Sequence, residues 1–230
     1  MTQDIKAIAI PGIHQRFFKA FQAAAGRYDK PRVLEVGAGH GAFTQKLWQE
    51  GYEVTACDLF PEIYQFAETP CIKVDITKEL PFPSESFEMA VAVEVMEHVH
   101  NHPVFFAECE RILKKGGVLM VSTPNILSLK SRIRFLFSGF FYSFKPLDHA
   151  RNDGLQHIAS LTIDQYRYLA TRAGFSGFEV QVDKRQKSSR FYSFLIPFIR
   201  LYCRLKSIPF EVHNRYDYLT GRVLFLSFVK

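Results

Sequence analysis

Cysteine is scarce in this chain of 230 residues: four in all, Cys57, Cys71, Cys109 and Cys203, far apart and without a C-x-x-C pair. They have neither the density of a secreted disulfide scaffold nor the spacing of a zinc site, and they suit a reducing cytoplasm. Long apolar runs are missing as well. The longest near the end, Phe191 to Ile199, is interrupted by Ser193 and Pro197 and closed by Arg200, whereas a membrane span needs about 20 such residues. The opening MTQDIKAIAIPGIHQ is charged too early and apolar too briefly for a secretory signal, and no lipidation motif follows Met1. A composition of 47% apolar and 23% charged residues excludes disorder and collagen-like repeats. The length suits a single α/β domain over 1–230.

Acidic residues are absent from two stretches. Residues 126–145 hold four basic residues and no acid, and residues 184–206 hold seven and none, against a net charge of +6 for the whole chain. The remainder is therefore net acidic. Nine of the 23 phenylalanines fall within 135–144 and 191–210, so the basic stretches are also apolar ones. That much apolar surface argues against a nucleic-acid partner. Basic and aromatic residues at helical spacing point instead to an anionic membrane surface or an anionic amphiphile, at the inner face of a membrane for a cytoplasmic protein.

From residue 14 onward, apolar periodicity predicts a leading helix over 14–25, within 1–30. Strands then alternate with helices: RVLEVG strand, AFTQKLWQEG helix, YEVTACD strand, PEIYQFAE helix, CIKVD strand, FEMAVAVE strand, PVFFAECERILKKGG helix, GVLMVSTP strand. Short connections between such elements imply a mostly parallel sheet covered on both faces, a core spanning 31–124. Beyond it, LTIDQYRYLATRAGF reads as a helix with Thr162 as N-cap and Gly174 as stop. FEVQVD and RVLFLSFVK read as two last strands, with the basic amphipathic segment 184–210 inserted between them and Pro197 predicted to kink it.

The strongest motif is VLEVGAGHGAF, which places Gly37, Ala38, Gly39 and Gly41 between the first strand and the next helix. Glycines there permit positive φ and close approach of a ligand, and the helix N-terminus offers free N–H groups to an anionic group. The dinucleotide fingerprint requires G-x-G-x-x-G, but here the third glycine is Gly41 and position 42 is Ala, which counts against a nicotinamide cofactor. Asp58 ends the second strand about 20 residues on, where a carboxylate can accept both hydrogens of a ribose diol. Glu35 places a second carboxylate beside the loop.

These residues resemble the class I S-adenosylmethionine-dependent methyltransferases over roughly residues 30–183 and the last strand. The resemblance implies a Rossmann-like, seven-stranded, mostly parallel sheet with an antiparallel last strand and helices on both faces. It implies S-adenosylmethionine as cofactor, with the methionine part on Glu35, Gly37, Ala38, Gly39 and Gly41. It implies the ribose at Asp58 and Leu59, the adenine at Asp75 and Ile76, and Glu94 near the transferred methyl. FEMAVAVEVMEHVHN further resembles the ubiquinone-biosynthesis O-methyltransferase subgroup. His98, with Glu97, would act as general base toward an acceptor hydroxyl. Alternatively Glu94, Glu97 and His98, joined by His157, would hold Mg or Mn and lower the acceptor's pKa. A third reading leaves Glu97 and His98 as turn-holding residues only. His100 and His102 read as solvated loop residues.

Segment 125–160 follows the fifth strand, where the family builds an acceptor lid. Its Phe135, Phe137, Phe140 and Phe141 would grip a small-molecule or lipid-linked acceptor of the glycan-pathway kind, with Arg132 and Arg134 on a phosphate. The aromatic stripe of 190–205 suits a membrane surface, the sheet, or the partner in a homodimer. O-methylation is the expected activity. An RNA methyltransferase and a non-catalytic module retaining the cofactor fold are the alternatives.

Overall fold

The computed structural model describes residues 4–151 and 153–230. Apolar runs closed by glycines become α1 (Ile13–Ala25), β1 (Arg32–Val36), α2 (Ala42–Gln49) and β2 (Glu53–Asp58), followed by β3 (Cys71–Lys73) and β4 (Phe87–Val93). Next come α3 (His102–Ile112), β5 (Leu113–Pro124), α4 (Leu129–Ser138), α5 (Ile163–Ala173) and β6 (Gly177–Val182). The chain ends with α6 (Lys187–Phe191), α7 (Ile196–Leu205), α8 (Phe210–His213), α9 (Tyr216–Thr220) and β7 (Val223–Val229). Among the described residues the strands form one seven-stranded sheet in the order β3-β2-β1-β4-β5-β7-β6. Pairings from β3 through β5 are parallel, and β7 runs antiparallel to both β5 and β6, as expected from the sequence. No helix among the described residues is long and apolar enough to cross a membrane.

Side-chain alternation along the strands feeds two cores. On β4, Ala90 and Ala92 face a core shared with α3 and α5, while Met89, Val91 and Val93 face a second core under α1 and α2. On β7, Leu224, Leu226 and Phe228 join the first core, and Val223 and Phe225 the second. Because both faces of the sheet are apolar and covered, polar groups concentrate at the strand ends. Thr162 caps α5 and Gly174 ends it at φ 114°, both as expected, and Gln165 adds a capping box: Thr162 accepts from the Gln165 backbone and the Gln165 side chain returns the contact.

Four expectations change. PEIYQFAE forms only a 3-10 turn at Pro61–Ile63, because Phe66 alone in that stretch is buried and a helix would have no apolar stripe to pack. The CIKVD strand stops at Lys73, since Asp75 bonds locally to the Thr77 backbone and hydroxyl. The helix from His102 ends at Ile112 rather than running through LKKGG, because Leu113 already pairs with Phe87 as the first residue of β5. Pro197 does not kink a helix but lies in the first turn of α7, after a 3-10 turn at Tyr192–Leu195. Its missing N–H costs nothing there.

Phe106 is fully buried and touches the rings of Phe105, Tyr166, Phe175 and Phe228. Phe106→Ala should cost about 3–5 kcal/mol in urea unfolding. Phe137→Ala, at a residue 84% exposed, should stay within about 0.5 kcal/mol. Equal losses in the two variants would contradict this packing.

Candidate active site

Strands β1, β2 and β4 deliver their last residues to one edge of the sheet. From β1 the chain turns through Gly37, Gly39 and Gly41, at φ 73°, 54° and 88°. The Gly37 and Ala38 N–H groups donate to the Cys57 carbonyl, at 2.9 and 3.1 Å. The Gly39 N–H donates to Asp58 Oδ2 at 2.8 Å, and the Phe60 N–H to Oδ1 at 2.8 Å. Asp58 therefore braces the loop from the end of β2 and keeps a further lone pair on each oxygen. A Cβ at Gly37 would lie 2.5 Å from Val95, and one at Gly41 would lie 2.6 Å from Tyr64. The loop is thus closed in by side chains that leave room only for glycine.

The N–H groups of Ala42, Phe43 and Thr44 open α2 and have no acceptor within the helix, which suits an anionic group. Glu35 lies beneath them, 3% exposed, and its carboxyl accepts a short hydrogen bond from the Thr44 hydroxyl. Burial pushes its pKa up to about 8, so it is mostly protonated at neutral pH. Leu59 is exposed beside Asp58. Val74 donates to the Asp58 carbonyl at 2.9 Å, which brings Asp75 and Ile76 to the same edge. The Asp75 carboxylate is held below its usual range, first by the Thr77 hydroxyl and also by Lys78 at 3.0 Å.

At the end of β4, Glu94 adopts φ 57°, a strained conformation for a side-chain-bearing residue. It is held by Ser122, whose Oγ accepts from the Glu94 N–H and donates to Glu94 Oε1, both at 2.9 Å. Burial raises the Glu94 pKa to about 7. A 3-10 turn at Met96–His98 follows. Glu97 is 1% exposed, its pKa is raised well above the carboxylate range by burial and by the Glu94 charge, and its Oε2 has no hydrogen-bond partner. His98 meets the Gln156 carbonyl through Nδ1 at 2.9 Å. His157 Nε2 lies 4.0 Å from Glu97 Oε1, and its ring packs edge-on against His98 at 5.0 Å. Its Nδ1 is buried without a partner. Burial lowers both imidazole pKa values, that of His157 to about 4. Glu97, His98 and His157 each bring one ligand atom within 4.8 Å of the others, whereas Glu94 turns its carboxyl to Ser122. Three of the four residues expected around a cation are thus grouped.

The segment after β5 folds back over this turn. Ile158 and Ala159 donate to the Glu97 carbonyl at 2.8 and 3.0 Å, and Phe144 packs on His157 at 5.3 Å. A Cβ at Gly154 would sit 2.8 Å from Phe60, so the same loop reaches the Asp58 side as well. His100 is exposed as expected. His102 is not: it is buried, and its Nε2 meets the Met96 carbonyl at 3.0 Å, because it opens α3 on the core side. Sequence reasoning also missed the N-terminal strand of chain along the loop. There Ile5 N–H donates to Gln45 Oε1, and the Lys6 carbonyl lies 3.0 Å from His40 Nδ1. It missed Tyr64 and Phe66 too, whose signal was aromatic residues in a stretch with no helical stripe.

Glu35 predicts a pH dependence. Its folded pKa of about 8 exceeds the ordinary glutamate value of 4.5. The folded state therefore holds an extra proton between those values, and its contribution to stability is lost as pH rises across that window. Glu35→Gln should make the fall of unfolding free energy over this range shallower, by up to about 1.4 kcal/mol per pH unit. Urea unfolding at several pH values measures it, and an unchanged slope would place the proton elsewhere.

Residues 34–121 match the family model "Methyltransferase domain". A demethylmenaquinone methyltransferase of Tropheryma whipplei is 38% identical over 95 residues, covering 39% of this chain and 40% of that protein. A ubiquinone biosynthesis O-methyltransferase of Xanthomonas oryzae is 32% identical over 103 residues, covering 41% and 43%. These matches take in under half the length of either relative. In fold, the chain is similar to a SAM-dependent methyltransferase from Archaeoglobus fulgidus, with a TM-score of 0.58 at 18% identity over 94% of each chain. With the glycine loop and the braced Asp58 at the edge of the β3-β2-β1-β4-β5-β7-β6 sheet, the chain carries a methyltransferase domain, matched over residues 34–121, in the fold of the class I S-adenosylmethionine-dependent methyltransferases.

Proposed function

We propose that the chain methylates an oxygen of a small-molecule or lipid-linked acceptor, using S-adenosylmethionine, in the cytoplasm at the inner face of a membrane. One observation carries this reading. The turn holding Glu97 and His98 starts beside Val95, which packs on Gly37 of the glycine loop, and the turn and the His157 segment folded over it keep two buried polar atoms, Glu97 Oε2 and His157 Nδ1, without partners. Buried groups of this kind are costly unless a ligand completes them. The glycine loop suits the cofactor because it ends at the N-terminus of α2, whose first N–H groups face the same edge as Asp58.

When bound, S-adenosylmethionine supplies an electrophilic methyl carbon, so the chain needs no nucleophile of its own. Asp58 is the residue for the ribose hydroxyls, through its free lone pairs, with Leu59 beside it. Asp75 and Ile76 serve the adenine, and Glu35, Gly37, Ala38, Gly39 and Gly41 form the cradle, with Glu94 at its far side. His98, neutral and tethered through Nδ1, keeps Nε2 as an acceptor for the proton of an acceptor hydroxyl, and Glu97 orients the cluster. Segment 125–160 is the lid that excludes water and holds the acceptor in line.

The grouping of Glu97, His98 and His157 favours a second reading of the same cluster, in which it holds a divalent cation that lowers the acceptor's pKa. Two imidazoles and one carboxylate suit Mn better than Mg.

Calorimetric titration of S-adenosylhomocysteine is expected to show binding that weakens at least about ten-fold in Asp58→Ala, which removes two backbone braces and the ribose contact. No binding to the wild-type chain would overturn the reading. In a transfer assay against polyprenyl and sugar-phosphate acceptors, His98→Ala should lower the rate by about 10²–10⁴ while leaving S-adenosylhomocysteine affinity unchanged. Loss of rate with chelator and recovery with Mn would assign the cation; indifference to both would assign His98 as the base.

A further inference from the structure

An amphipathic helix normally turns its apolar stripe to the core. In α7 the stripe faces outward. Phe198, Leu201, Tyr202 and Leu205 lie three or four residues apart and are 68%, 56%, 58% and 74% exposed, while Cys203 alone in the helix is buried. The stripe continues back through Phe194 to Phe191, which is 73% exposed. The backbone stays right-handed helical at the Phe191 and Leu195 junctions, so α6, the 3-10 turn and α7 follow one another without a loop. The expected packing of this stripe on the sheet does not occur. Next to it, α4 packs against α6 and exposes Leu136 and Phe137 at its outer end.

Cations accompany this apolar surface. Of the seven in 184–206, only Arg185 has an ion-pair partner among the described residues, Asp217. Arg190, Arg200, Arg204 and Lys206 are exposed around the stripe. Under α7 a cleft of about 510 Å³ is walled by Phe198, Tyr202 and Ile208, with Arg132 in its lining. The Arg132 guanidinium donates to the Leu127 carbonyl, the Asn214 side chain and the His213 carbonyl, at 2.8, 2.7 and 3.0 Å. All three acceptors are neutral, and no carboxylate pairs with Arg132 among the described residues. A largely buried cation without an anion is costly, and its five N–H groups exceed the three bonds made.

We propose that α6, α7 and the outer end of α4 form an interfacial docking surface for an anionic phospholipid bilayer. The outward stripe enters the acyl boundary, the surrounding arginines meet headgroups, and Arg132 takes one lipid phosphate in the cleft. Charge decides among occupants. A two-fold interface with a second copy would set this acid-free patch against itself, cation facing cation. A nucleic acid gains little from outward aliphatic side chains such as Leu201 and Leu205, whereas a bilayer satisfies both the apolar and the cationic features. This deepens the membrane location proposed above, but it rests mainly on α6 and α7, outside the residues assigned to the cofactor, and vesicle binding and S-adenosylhomocysteine binding are read separately, so the two can fail separately.

The test is flotation of the whole protein with vesicles of phosphatidylcholine and of equal parts phosphatidylcholine and phosphatidylglycerol, over a salt series. Binding should be at least about ten-fold tighter to the anionic vesicles and should weaken with salt. Leu201→Ser with Leu205→Ser should reduce it about ten-fold or more, and Arg200→Glu with Arg204→Glu should abolish the anionic preference, each with unchanged S-adenosylhomocysteine affinity and melting temperature. Arg132→Gln, inside the fold, is read beside these surface variants and should lower affinity for the anionic vesicles alone. Failure to bind either vesicle while S-adenosylhomocysteine still binds would overturn the docking surface and leave the methyltransferase reading standing. So would a concentration-dependent dimer that Leu201→Ser with Leu205→Ser dissolves, or equal binding to a single-stranded RNA oligomer.

Discussion

The carboxylate of Asp58 is the brace on which the site edge depends. A loop of three left-handed glycines has high conformational entropy to lose, and its position on the sheet is fixed by a few bonds to the neighbouring strand. Two of these run to the Cys57 carbonyl and one to Asp58 Oδ2. The other Asp58 oxygen ties down Phe60, and its carbonyl receives Val74, so one residue registers the ends of β1, β2 and β3 together. Val95 then closes on Gly37 from β4. The glycine loop and the Glu97–His98 turn are neighbours because parallel strands end at the same edge, which is the general reason ligands of open α/β sheets bind there.

Local signals in the sequence carried the elements whose stability is local. The glycine loop and the Thr162 N-cap each depend on residues a few positions apart, and both appear in the structure as their spacing suggests, whereas the brace from Asp58 to Gly39 joins residues 19 apart and was not read from the sequence. The two last strands were equally legible from their apolar runs, while their antiparallel pairing was implied by the family resemblance alone. Errors arose where a tertiary partner outweighed local preference. Leu113 leaves its helical pattern to pair with Phe87, and Tyr64 and Phe66 leave theirs to cover Gly41. His102 is polar in sequence but takes a carbonyl partner in the core, so its surroundings could not be read from its neighbours in the chain.

The candidate site was legible in its residue types more than in its geometry. His157 joins Glu97 and His98 only because the backbone of 156–159 bonds to the Glu97 carbonyl and to the His98 ring. That contact spans about sixty residues of chain, far beyond any periodicity. Glu94 shows the converse. Spacing alone puts it one turn from Glu97 and His98, but the chain there is not a helix. The positive φ of Glu94 and its two bonds with Ser122 aim the carboxyl away from the imidazoles. A polar Ser122 and Thr123 at the end of an otherwise apolar strand was the available hint that β5 carries buried partners for this turn.

The +6 charge of the chain is therefore divided rather than spread. Glu35, Glu94 and Glu97 sit at the carboxyl edge of the sheet, where burial drives each toward its neutral form. Exposed cations without ion-pair partners among the described residues lie instead on α6 and α7, around side chains that ordinarily seek the interior. Neither arrangement stabilises the fold: buried unpaired carboxyls and solvent-facing phenylalanines both oppose it. The two aromatic-lined cores and the bonded strand ends must offset that cost, and they do so with elements that carry no charge. The sheet and its packing hold the molecule together, and neither the edge carboxyls nor the outer-helix cations are needed for that.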